Sequence, residues 1–151
     1  MLISESEADR SVSAMSIGTL LFSFRGRINR MPYWLASLAV LIVMAVPFAL
    51  VAASGLWQSA MLLLLLLIPL IWTGVALAVK RLHDRNKSAW WLVIFYVLPG
   101  ILEGIGEFAG DAAVVLLIAS SALSIWALVE LGFLRGTAGP NDYGPDPLAG
   151  A

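Results

Sequence analysis

The chain has 151 residues and a net charge of −1; 60% of its residues are hydrophobic and 13% charged. A soluble domain carries about 25% charged and about 45–50% apolar residues, so a water-soluble fold of this length would lack the polar surface to cover itself. With no cysteine and one histidine, His83, disulfides, thiolate catalysis and cysteine- or multi-histidine metal sites are excluded, and no metal or cofactor is expected.

From the N-terminus, MLISESEADR is acidic where a secretory signal would be basic, so no cleavable signal peptide is expected. Residues 1–14 read as a disordered tail. Ile17, Leu20, Leu21 and Phe24 recur at i, i+3, i+4 and i+7. That stripe predicts a short amphipathic helix over about 15–25, lying in a membrane surface with Arg25 and Arg27 reaching for headgroups.

Four apolar segments follow, at about 31–53, 56–79, 88–106 and 112–134. At 1.5 Å per residue, roughly 20 residues cross a hydrocarbon layer of about 30 Å. The first, second and fourth segments clear that length; the third, broken by Pro99-Gly100, barely does. Leu62–Leu67 is an unbroken leucine run with no polar face, unlike a core helix of a soluble protein. Lone strands would leave backbone groups unpaired in lipid. The expected fold is an all-α integral membrane protein: a four-transmembrane-helix bundle in one domain, 15–147, with an interfacial helix before the first span.

Charge placement sets the orientation. Arg25, Arg27 and Arg30 precede the first segment; Lys80, Arg81, Arg85 and Lys87 separate the second from the third; Arg135 follows the fourth. Four spans put all of these on one side, and the opposite loops hold only Glu103, Glu107 and Asp111 as charges. Positive-inside bias then predicts that both termini lie in the cytoplasm. Pro32 suits a first helical turn, while Pro47 and Pro69 predict kinks. Ser88 and Asp111 are candidate N-caps, and Gly136 a candidate stop for the fourth helix. Trp34, Trp57, Trp90 and Trp91 fit an aromatic belt.

Three polar motifs fall on the cytoplasmic side. The first runs from Phe24 through Gly26, Arg27 and Arg30 to Trp34. The second is Arg81-Leu82-His83-Asp84, then Ser88 and Trp91. The third is Gly136, Gly139, Asn141, Tyr143-Gly144-Pro145-Asp146-Pro147. In these motifs and their order, the chain resembles the domain of unknown function 805 family of small bacterial inner-membrane proteins. The resemblance covers about 22–147 and departs at Asn86 and Ala89, where glycine is common, and at Asp142, where a basic residue is frequent. It implies four spans and an inner-membrane location, and no reaction.

Basic residues beside a cytoplasmic leaflet attract anionic lipid, by about 1 kcal/mol each. Lys80, Arg85 and Lys87 fit a role in topology alone. Arg81, His83 and Asp84 read first as a helix-end cluster, with Asp84 paired to an arginine of the first motif. His83 is the acid–base candidate should the protein be an enzyme. Glu130, about one turn inside the fourth helix, is an intramembrane acid expected to pair with Arg135, Arg81 or Arg27. The tail 135–147, rich in glycine and proline, reads as a turn-rich flap over the basic face, and 148–151 as a disordered end. The leading functional reading is a non-enzymatic protein that binds an anionic lipid headgroup or a partner protein. Its site is Arg27, Arg30, Arg81, His83 and Asp84, covered by Asn141 and Tyr143. A membrane enzyme acting on a phospholipid or isoprenoid phosphate is the second reading, and a small oligomeric transporter or channel the third. Expected partners are the phospholipid bilayer, a membrane protein or a second copy through small-residue helix faces, and not nucleic acid.

Overall fold

The computed structural model describes residues 16–54 and 58–149. Every regular element among them is helical: α1 (Ile17–Phe22), α2 (Arg30–Ser54), α3 (Gln58–Asp84), α4 (Leu98–Gly106) and α5 (Ala113–Leu128). A π-turn, Val93–Val97, leads into α4, and another, Val129–Phe133, continues α5. A 3-10 turn, Gly110–Ala112, precedes α5. α2 packs on α3 and α4 on α5, forming two hairpins, as short connections dictate.

Local chemistry explains most boundaries. The Ser16 hydroxyl accepts the Thr19 N–H at 3.2 Å and starts α1. Asn29 Oδ1 does the same for the Met31 N–H at 3.1 Å and starts α2, while Pro32 in that first turn forgoes a bond it would not make. α3 ends in a Schellman motif: the Lys87 N–H reaches the Leu82 carbonyl, and the Asn86 N–H that of His83. The motif needs a left-handed residue after the helix, and Asn86 supplies it at φ 55, which is why glycine suits this place equally.

The third apolar segment is not broken at Pro99-Gly100. The Leu98 N–H bonds to the Val93 carbonyl five residues back, so the helix register slips just before the residue that has no N–H to give. Two sequence-based caps are not used. Asp111 lies inside the 3-10 turn, and α5 begins without a side-chain cap. Ser88 contributes its backbone carbonyl to the Trp91 N–H. α1 is shorter than the expected interfacial helix and is docked on the bundle. Leu20 and Leu21 pack against Ile28, Ala36 and Leu77, whereas Ile17 stays exposed. The expectation for 1–14 lies outside the described residues, as does Trp57. Of the expected loose end 148–151, Leu148 and Ala149 close a turn on Asp146.

Burial is inverted relative to a water-soluble fold. The side chains sealed inside include Lys80 and Arg81, both 0% exposed, together with Leu77, Leu82, Phe95 and Leu131. Leu41, Phe48, Leu65 and Ile118 are each more than 60% exposed. Residues 30–53 and 110–133 are long and apolar enough to cross a membrane, and only 6% and 11% of their apolar windows is buried within the fold. A soluble core helix would be mostly buried.

Candidate functional site

The fourth helical segment ends where three arginines begin. The Leu134 N–H bonds to the Val129 carbonyl at 3.0 Å, closing the π-turn. Beyond it the last carbonyls have no intrahelical partner and carry the negative end of the helix dipole. Each carbonyl from Leu131 to Arg135 receives a side-chain N–H. Arg81 Nε serves Leu131 at 2.7 Å, Trp34 Nε1 serves Gly132 at 3.0 Å, and Arg30 Nη1 serves Phe133 at 3.1 Å. Arg81 Nη2 serves Leu134 and Arg85 Nη1 serves Arg135. The first and second motifs thus cap this end jointly.

Asp84 is the centre of the cluster. Its carboxylate takes Arg27 on Oδ1 at 3.2 Å and Arg81 on Oδ2, with all three side chains at most 3% exposed. Its backbone carbonyl accepts both the Thr137 N–H (2.8 Å) and the Thr137 hydroxyl (3.1 Å). Arg27 carries the same link to the tail: its guanidinium donates to the carbonyls of Thr137 (2.6 Å), Gly139 (2.7 Å) and Gly144 (3.2 Å). Arg27 is therefore buried under the tail and is not reaching for headgroups, as the sequence suggested.

The tail is a turn built to be held. Asn141 and Gly144 exchange backbone bonds at 3.0 and 3.1 Å. Asn141 Nδ2 donates to the His83 carbonyl at 2.8 Å. The Tyr143 ring stacks on His83, centroids 3.9 Å apart and planes 6° apart. Asp146 accepts the N–H groups of Gly139 and Leu148, which hold its carboxyl below the usual range. Gly136 does not terminate a helix. A Cβ there would stand 2.1 Å from Asp84 Oδ2, so glycine is required by close approach.

The structure thus brings Arg27, Arg30, Arg81, His83, Asp84, Asn141 and Tyr143 together. It spends the polar atoms of Arg27, Arg81 and Asp84 inside the protein, while Arg30 remains exposed. Glu130 belongs to a neighbouring pair: its Oε1 meets Arg85 Nε at 3.0 Å and Lys87 Nζ at 2.8 Å, and not Arg135, Arg81 or Arg27. Lys80, read from sequence as a topology charge, donates to the carbonyls of Thr19 (3.0 Å) and Leu20, fastening α1 to α3. Spacing alone held no signal for these partners, which come from non-adjacent elements. Among the described residues, no group of acids and histidine could hold a metal ion.

His83 gives the site a pH dependence. Burial lowers its pKa from 6.5, opposed by the bond between Nδ1 and the Gly26 carbonyl. The folded state therefore favours neutral imidazole. Its stabilisation is full above about pH 6.5 and is lost as pH falls through that value toward the lower folded-state one. The melting midpoint should fall between pH 7.5 and 5.5, and His83→Phe, which keeps the stacking, should flatten that part of the profile. Parallel profiles for the two proteins would remove His83 as the cause.

Below this network lies an open pocket of about 280 Å³, walled by Asn29, Arg30, Arg135, Gly136 and Asp146 among others. Neither Arg30 nor Arg135 has a carboxylate within salt-bridge distance among the described residues.

Comparison with known proteins gives a consistent set. The profile of a family described as "Protein of unknown function (DUF805)" matches residues 21–145. The uncharacterized protein YiiR of Escherichia coli K12 is 36% identical over 140 residues, spanning 87% of this chain and 90% of that protein. The inner membrane protein YhaI of the same strain is 30% identical over 132 residues, 85% of this chain and 88% of that protein. The inner membrane protein YhaH is 30% identical over 131 residues, 82% and 86% of the two chains. No solved structure matches.

Proposed function

The chain belongs to the DUF805 family of proteins of unknown function, and from that premise we propose that it is a non-enzymatic, four-span inner-membrane protein whose cytoplasmic face holds an anionic phospholipid headgroup. The apolar surface of α2 and α5 and the names of the relatives YhaI and YhaH support the membrane location. Convergence of helix ends supports an even number of spans. Arg30 of α2 meets Phe133, Asp84 of α3 meets Thr137, and Lys87, just before the third segment, meets Glu130. All four apolar segments thereby have one end at the same cluster, the end that carries the arginines. Positive-inside bias makes that side cytoplasmic, with both termini there.

The observation that carries the lipid reading is the pairing of Arg30 and Arg135 on one pocket without a carboxylate partner. Arg27, Arg81 and Arg85 are consumed by carbonyls and acids; Arg30 gives one N–H to the Phe133 carbonyl but, like Arg135, has no acid within salt-bridge distance among the described residues, so these two hold the charge available to a phosphate. Of the two acids on the pocket, Asp84 is held by Arg27 and Arg81, and Asp146 already accepts two backbone N–H groups. At about 1 kcal/mol per basic residue, neutralising both should weaken retention of phosphatidylglycerol roughly 25-fold relative to phosphatidylcholine. Quantifying lipid co-purified with Arg30→Gln/Arg135→Gln protein reads this directly. Equal anionic-lipid retention in parent and double variant would leave the pocket without a ligand.

A further inference from the structure

Glu103, which the sequence places among outer-loop acids, lies inside α4, where its Oε1 accepts the Ser120 hydroxyl of α5 at 3.0 Å. α5 begins at Ala113, so Ser120 is about 10 Å along it at 1.5 Å per residue. If α4 and α5 cross hydrocarbon, a premise taken from the proposed function, Glu103, three residues before the end of α4, is an exposed acid just inside the hydrocarbon, held against Ser120. Such residues are rare there and mark ligand or ion sites by default. Among the described residues Glu103 forms no ion pair. The acid of the fourth segment, Glu130, differs in having two cations on it.

Glu103 forms part of the wall of an open cleft of about 430 Å³ between α2, α4 and α5, a volume within the range of about 300–1,000 Å³ that small-molecule sites occupy. The rings of Tyr33, Phe95 and Tyr96 and the side chain of Ser124 line it as well. A side chain at Gly100 would meet nothing within 4 Å. A carboxylate, three aromatic rings and apolar side chains on one cleft select a particular chemistry. An anion is repelled by Glu103, and a neutral chain leaves the carboxylate unpaired. An organic cation satisfies the acid and places its apolar body on the rings, whose faces also attract positive charge. We propose that this cleft binds a lipophilic cation, an amine or quaternary ammonium with an apolar body.

The test uses the full chain in phosphatidylcholine nanodiscs, which supply no anionic lipid to the Arg30–Arg135 pocket, and equilibrium dialysis against tetraphenylphosphonium. Saturable binding near one per chain is expected, displaced by dodecyltrimethylammonium and not by dodecanol. Glu103→Gln should weaken it about tenfold or more; glutamine keeps the acceptor for Ser120, and wild-type displacement serves should that variant fail to assemble. The inference is overturned by partition no greater than into empty discs, by equal displacement with dodecanol, by unchanged affinity in Glu103→Gln, or by a second copy filling the cleft in cross-linked discs. Recovery of protein in discs tests the membrane premise separately, so embedded protein without saturable binding overturns this inference alone.

Discussion

Asp84→Ala is expected to remove about 3–5 kcal/mol of folding stability, because it strands two guanidinium groups whose side chains are 0–1% exposed. The cost comes from the partners left behind and not from the attraction lost. Arg81 and Arg27 would keep their carbonyl acceptors at Leu131, Leu134, Thr137, Gly139 and Gly144. Neither would then have a carboxylate within salt-bridge distance among the described residues. The backbone carbonyl of Asp84 that holds Thr137 survives the change, so the tail should loosen without all its bonds being cut. In mild detergent the melting midpoint should drop by about 10 °C or more. A midpoint within about 2 °C of the parent would mean that the pair is solvated in practice.

Gly136→Ala is the second large effect. The new methyl would stand 2.1 Å from Asp84 Oδ2 and 2.6 Å from its Cγ, and the carboxylate cannot swing aside because arginines hold both of its oxygens. The tail itself must retreat, at about 3 kcal/mol for forced overpacking. Gly74→Ala supplies the contrast. That position is helical, a Cβ there meets nothing within 4 Å, and alanine should be neutral or stabilising by up to about 1 kcal/mol. Comparable losses at the two glycines would show that steric approach to Asp84 is not what selects glycine at 136.

The apolar segments 30–53 and 110–133 were legible because length and apolarity alone mark a helix able to cross a membrane, and the other two are also largely helical where described. The neighbourhood of Asp84 was legible in part: its pairing with an arginine of the first motif follows from leaving no buried charge alone. What spacing could not reveal depends on register and on distant partners. The two π-turns are set by i+5 hydrogen bonds ending at Leu98 and Leu134, and the second overlaps the carbonyls capped by side chains from 30 to 85. Lys80, Arg85 and Lys87 resemble free surface charges in one dimension; in three they meet Thr19, Leu20, Glu130 and Arg135. Glu103 counted among the acids of the opposite side although the third segment was bounded at 106; its bond to Ser120 left no trace in spacing.

The central feature of the fold is the tail clamped over the helix ends through Asp84. The chain has no cysteine, so a pair introduced at His83 and Tyr143, whose rings now stack at 3.9 Å, reports on closure without background and leaves Arg27, Arg81 and Asp84 intact. In native membranes a short bis-maleimide should link the pair within one chain, and adding Asp84→Ala should sharply reduce the yield. Equal linking with and without Asp84 would contradict the clamp.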